Sequence, residues 1–269
     1  LLEPSQARRQ GPQRPQKAEG GQRWFHLYPN EKIGPDDELH WTKLSQNWNY
    51  MCAECHSTDL RKNYNPATRG YSTTWAEIDV ACEACHGPGS RHVAWAEGKG
   101  AQAALDGSAK GLLVALDERR GVAWTINPSS GNAQRSAPRG TAREIETCAR
   151  CHSRRGQWFG DYRPGEPLLN THRPAFLQEA LYHADGQIDG EVYEYGSFLQ
   201  SRMHQAGVTC TDCHEPHSLK LRAEGNGVCL QCHAGSKYDG EGHHLHKANG
   251  PGARCVDCHM PAKTYMGVD

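Results

Sequence analysis

Residues 203–217 read Met203-His204-Gln205-Ala206-Gly207-Val208-Thr209-Cys210-Thr211-Asp212-Cys213-His214-Glu215-Pro216-His217, and the C-x-x-C-H at their centre decides how the rest of the chain is read. The same pentapeptide recurs at Cys52/Cys55-His56, Cys82/Cys85-His86, Cys148/Cys151-His152, Cys229/Cys232-His233 and Cys255/Cys258-His259. All 12 cysteines are used. Two thiols three residues apart with a histidine next to the second form the attachment site of c-type haem. The thiols add to the porphyrin vinyl groups as thioethers, and the histidine reaches the iron from one face. The sequence therefore predicts six covalently bound haem c groups. Disulfides would not require a histidine after every second thiol, and zinc would accept the C-x-x-C pairs without the sixfold histidine. A thioredoxin-like motif comes singly, beside a βαβ pattern that is missing here.

Composition agrees. The chain has 269 residues, a formal charge of −1 and 36% hydrophobic residues, with a mean hydropathy of −0.80. No stretch approaches the roughly 18 apolar residues needed to span a bilayer, and the charge balance gives no sequence-wide basic field for nucleic acid. Only 4 Phe, 4 Met and 7 Trp accompany 29 Gly and 15 Pro, so side chains alone make a thin core. Six flat, apolar macrocycles would fill it. The expected fold is mostly coil with short α-helices, built around a stacked haem array with little or no β-sheet, and unable to form without haem. Haem c is attached outside the energy-transducing membrane, so the chain is expected in the periplasm or the extracellular space. Leu1 opens no signal peptide, which reads as a mature or processed sequence.

Residues 1–23, rich in Gln, Arg, Pro and Gly, should be disordered alone. They form a candidate extended tail for contact with another subunit, with an expression remnant as the bland alternative. Residues 24–269 form the hexahaem domain: a two-haem part over 24–96, a linker or lid over 97–140 and a four-haem part over 141–269. Thr74-x-x-Glu77 and Thr141-x-x-Glu144 read as capping boxes of helices leading into Cys82 and Cys148. Glu194–Gln205 reads as a helix whose Tyr195, Phe198, Leu199 and Met203 pack on haem, Ala101–Leu116 as a helical candidate, and Asn127–Gly140 as a polar loop. Steps of 30, 66, 62, 19 and 26 residues between first cysteines exclude a fixed repeat and make the fourth and fifth sites neighbours.

With the six proximal histidines (His56, His86, His152, His214, His233, His259) assigned, ten remain for six second axial positions. Methionine ligation is therefore not needed; Met260, beside a proximal histidine, cannot swing round to the opposite face of the same ring. His217 lies three residues after His214, and three residues span at most about 10 Å, too little to round a porphyrin edge. As a ligand it must serve a neighbouring haem. His92 and His204 invite the same reading, and His246, His40 and His183 complete the expected distal set. His26, His172, His243 and His244 are the candidates to replace members of it; the His243–His246 tract could instead hold a stray transition metal.

Three segments carry a resemblance: Cys82-Glu-Ala-Cys-His-Gly-Pro-Gly-Ser-Arg-His92, residues 203–217, and Cys255-Val-Asp-Cys-His-Met-Pro261. Over about residues 24–269 the chain resembles multihaem cytochromes c of the broad nitrite reductase and hydroxylamine oxidoreductase-like group, and looks most like those that accompany tetratricopeptide repeats in longer chains. The nitrite reductases of the group carry C-x-x-C-K at the active haem, and this sequence has none. The resemblance is specific to the group and not to one activity; an iron held by two histidines has no free position for substrate and can only exchange electrons, so an electron-transfer protein rather than an enzyme is expected. Its expected role is a wire of bis-histidine haems in respiration, and its pattern is similar to that of subunits of extracellular cytochrome filaments. Copies of the chain in a head-to-tail polymer, together with redox proteins or an extracellular acceptor, are the expected partners. The alternatives are a reductase with one open haem acting on a small nitrogen or sulfur oxyanion, and a soluble periplasmic shuttle.

Overall fold

The structure is a computed structural model that describes residues 28, 30–99 and 109–262. The tail, His26 and the first part of the helical candidate at 101–116 lie outside the described residues.

Among the described residues the fold is mostly coil with short helices and five two-stranded antiparallel ribbons. The ribbons pair β1 (Ser57–Thr58) with β4 (Glu77–Ile78), β2 (Tyr64–Asn65) with β3 (Gly70–Tyr71), β5 (Trp124–Ile126) with β6 (Ala133–Arg135), β7 (Arg155–Gln157) with β8 (His172–Pro174), and β9 (His214–Glu215) with β10 (Lys220–Leu221). The longest described helices, Ser90–Ala96, Arg143–Ala149 and Glu194–Gln200, have seven residues each. Isolated helices of that length are unstable in water, so they depend on what packs on them.

The apolar side chains are turned inside out. Ten apolar residues are buried, among them Ile145, Leu168 and Val192, whereas twenty large ones are exposed, among them Trp158, Phe159, Phe176 and Leu245. The buried set is equally polar: Glu54, Ser57, Thr58, Glu144, Thr147, His172, Thr209 and Asp212. Such a distribution fits a chain whose main apolar bodies are cofactors lying on its surface turns.

Local readings need correction in four places. Thr74-x-x-Glu77 opens no helix: Thr74 bridges Arg61 and Glu77 pairs in β4, while the helix Cys82–His86 starts at Ala81 without a side-chain cap. The helix Arg143–Ala149 does precede Cys148, but Thr141 donates to Glu118 Oε1 instead of closing a box. The capping box that forms is Thr209 with Asp212, at Cys210–Cys213. The helix over 194–205 breaks at Ser201, which is extended and caps Arg202–Gln205 by accepting from His204 N. The described residues 109–116 are turns rather than helix.

Residues 109–140 strap the motifs together. Val114 N donates to His86 O at 3.3 Å, Arg119 Nε to Asp212 Oδ1 at 2.9 Å, and Ala133 N to Cys232 O at 2.7 Å. The polar loop, Asn127–Gly140, thus supplies the turn and second strand of the β5–β6 hairpin. At its tip Gly131 has φ +74°, and a Cβ there would lie 2.7 Å from Lys237 Cδ. Its carbonyl accepts from Ala234 N at 2.8 Å, which docks the hairpin on the fifth motif.

Candidate haem-binding sites

Each motif sits on a single helical turn: Trp48–Cys52 (a π-turn), Cys82–His86, Arg143–Ala149, Cys210–Cys213, Gly227–Leu230 and Cys255–His259 carry its first cysteine. On a turn, residues i and i+3 share a face and i+4 lies one step above. Both sulfurs therefore share a face with the imidazole beside them, except that in the fourth motif His214 follows the turn as the first residue of β9. Bonds from His56 N to Cys52 O (3.1 Å), His152 N to Cys148 O (2.9 Å) and His233 N to Cys229 O (3.0 Å) close these turns.

The six turns are neighbours. The side chains of Cys55 and Cys151, of Cys148 and Cys210, and of Cys229 and Cys255 lie within interaction range of each other. Cys85 lies within electrostatic range of Cys148, and Cys213 of Cys229 and Cys232. In motif order the succession is 1–3–4–5–6, with 2 beside 3. No disulfide joins the 12 cysteines. Burial pushes the Cys229 and Cys232 thiols up to about 11. Among the described residues no three His, Cys, Asp or Glu side chains gather to hold a bare metal ion.

The residues between the cysteines lock neighbouring turns. Glu54 of the first motif, whose side chain is 3% exposed, faces Arg150 of the third at 3.7 Å, Arg155 at 3.2 Å and His172 Nε2 at 2.7 Å. Burial alone would raise the Glu54 carboxyl, but the His172 hydrogen bond and the two guanidiniums outweigh it and hold it at about 2. Arg155 Nη2 also lies 3.5 Å from Cys55 Sγ. Glu144 accepts from Thr211 N at 2.8 Å and Thr211 Oγ1 at 2.9 Å, tying the third helix to the fourth motif; burial nevertheless raises its pKa. Gln231 Nε2 reaches Asp212 O at 3.5 Å, and Asn226 Oδ1 accepts from Cys255 N at 2.9 Å. None of these ties was read from the sequence. Opposite charges at the inner positions of Cys-Ala-Glu-Cys-His and Cys-Ala-Arg-Cys-His were the available signal for the first.

Five histidines donate Nδ1–H to an oxygen that can only accept: His86 to Val114 O (2.7 Å), His92 to Lys110 O (2.7 Å), His152 to Glu194 Oε2 (3.4 Å), His217 to Glu215 Oε1 (3.2 Å) and His233 to Asn132 Oδ1 (2.8 Å). That tautomer leaves Nε2 with its lone pair, as a metal-binding imidazole requires. His86 and His217 stand with ring centres 6.1 Å apart and planes 10° from parallel; His243 and His259 stand 6.1 Å apart at 4°.

The structure places the remaining candidate ligands beside other groups. His204 Nε2 accepts from Arg139 Nη2 at 2.9 Å, and burial, followed by that guanidinium, lowers its pKa. His183 Nε2 faces Asp189 at 3.4 Å. His246 lies against Gly252 and 6.3 Å from His244 rather than opposite His259. His244 Nδ1 accepts from His246 N. His40 Nδ1 sits 2.8 Å from Thr42 Oγ1. His172, fully buried, spends one nitrogen on Glu54 and the other on Thr171.

Paired thiols on one face, imidazoles with Nε2 open and apolar side chains turned outward make a donor set that fits covalently attached haem. Residues 24–87 match the family described as cytochrome c554 and c-prime, and residues 204–238 match the doubled CXXCH motif. The matches support a multihaem c-type cytochrome. No curated protein and no solved structure matches the chain. The matched segments together cover under half of the chain, and electron transfer is the function they support.

Proposed function

We propose that this chain is a hexahaem electron conductor. All six C-x-x-C-H motifs carry haem c, and histidine holds each iron from both sides. The observation that carries the reading is the unbroken succession of neighbouring attachment turns 1–3–4–5–6, with 2 beside 3. Bound haem supplies a one-electron couple whose iron, when ligated by two histidines, has no position left for substrate. The polypeptide sets the order of the cofactors and fixes the rings that ligate them. The reading extends to export and to respiratory transfer by copies joined head to tail in an extracellular filament. The twenty exposed large apolar residues support burial against cofactors and neighbouring copies.

Haem quantitation by pyridine haemochrome should give six per chain, and ferric EPR should be wholly low-spin. Fewer haems overturn the count. Electron microscopy of the secreted material should reveal fibres; a chain that sediments only as a monomer overturns the filament. A second reading, a reductase with one open haem, is favoured by Arg139, which occupies the lone pair of His204 and would leave a guanidinium for an oxyanion. A high-spin ferric signal in the native protein would select it.

A further inference from the structure

We propose that His217, on the turn between β9 and β10, is the second axial ligand of the haem iron carried by Cys82, Cys85 and His86, and that His243 plays the same part for the haem of Cys255, Cys258 and His259. The inference rests on the hexahaem reading above and names the ligands of two of its sites. Two imidazoles bonded through Nε2 to opposite sides of one iron, with bonds of about 2 Å and ring centres about 1 Å beyond, stand about 6 Å apart. Both pairs stand at 6.1 Å. An offset ring stack can reach that distance too, but it stabilises by covering apolar faces, and the His217 side chain is 79% exposed. Something other than packing explains its place opposite His86. The tautomers supply it: His86 donates Nδ1–H to Val114 O and His217 donates Nδ1–H to Glu215 Oε1, which leaves both Nε2 lone pairs for a metal. The pair of His244 and His246, although 6.3 Å apart, includes no histidine that follows a C-x-x-C.

His217 follows His214 by three residues, and His214 is the proximal histidine of the fourth motif. A single β9–β10 turn therefore grips two irons, and the second site, already beside the third, is tied to the fourth as well. Sites 2, 3 and 4 form a junction, with 1 leading in from the third and 5 and 6 leading away from the fourth.

The test is ferric EPR and haem quantitation on the haem-loaded full chain. H217G should keep six haems, because Cys82 and Cys85 still hold the porphyrin, while one iron of the six becomes high-spin; added imidazole should return it to low spin. H243G should do the same at the sixth site, and H246G should leave the spectrum unchanged. If H217G folds poorly, H217M gives a second readout: one of six reduction potentials moves up, as expected when methionine replaces a histidine ligand. An all-low-spin H217G without added imidazole, an H217M with six unmoved potentials, or a high-spin iron in H246G but not H243G overturns the corresponding assignment and leaves the hexahaem reading standing. A wild-type chain with no haem at the second motif overturns the reading itself.

Discussion

Replacing Glu54 with glutamine keeps the shape of the side chain and removes its charge from the centre of the contact between the first and third motifs. Glu54 then no longer offsets Arg150 and Arg155, whose side chains are each 11% exposed, and its hydrogen bond to the fully buried His172 becomes neutral. Removing one member of a buried ion pair costs about 3–5 kcal/mol, because the remaining charge stays desolvated and unpaired. Two guanidiniums share this carboxylate and each keeps some solvent contact, so the lower end, about 3 kcal/mol, is expected. The assay is guanidinium unfolding of the haem-loaded protein, with E54Q compared against wild type at pH 7 and in acid. The carboxyl is held at about 2, below its ordinary 4.5. Its contribution is therefore complete above the ordinary value and is lost as pH falls from there through about 2. The two proteins should converge over that window. A loss below about 1 kcal/mol at pH 7, the range of exposed pairs, or a loss that persists undiminished in acid, refutes the assignment of this cluster as the lock between the motifs.

Gly111 has φ +72°, and a Cβ there would lie 2.6 Å from Arg91 O; G111A should cost about 1–3 kcal/mol through backbone strain, read as a lower thermal midpoint of the holoprotein. Asp212 closes the cap at Thr209 and accepts from Arg119 Nε (2.9 Å) and Trp124 Nε1 (3.3 Å). D212A should destabilise by about 3 kcal/mol, and D212N by less, in the same denaturation assay. Chain produced without haem attachment should be digested rapidly by protease and lack a cooperative thermal transition, since only ten of the described residues are buried apolar side chains.

Much of the fold class was legible because the motif fixes what lies between the cysteines: a helical turn that sets two sulfurs on one face. Thr74-x-x-Glu77 misled because a capping box is a local signal, whereas Thr74 and Glu77 are taken by strand partners from residues 57–61. Spacing alone showed that His217 must look to another site, since three residues cannot round a porphyrin. It did not show which site, because His86 precedes it by more than a hundred residues. The sequence reading preferred His246 to His243, because nothing in the tract showed the left-handed residue between them, Leu245 at φ 61°. His172 was an open candidate because nothing near it in sequence reveals Glu54, its partner 118 residues earlier.

The same structure explains why charge lies so close to the attachment turns. When cofactors provide most of the apolar bulk, they occupy the faces of the turns, and the polypeptide between adjacent turns meets itself through what remains: backbone and the two residues inside each C-x-x-C. Backbone groups without regular helix or sheet partners need polar side chains. Glu144, Gln231 and Asn226 fill that need between motifs by bonding Thr211 N, Asp212 O and Cys255 N, and Glu54 joins the first and third motifs through Arg150 and Arg155. Charges placed for folding thereby stand beside the irons, where they also bias electron affinity. The first and third motifs share two guanidiniums against one carboxylate, an excess of positive charge that favours the reduced state at that end of the succession. E54Q, which increases that excess, should therefore raise the potentials of these two sites while it weakens the fold.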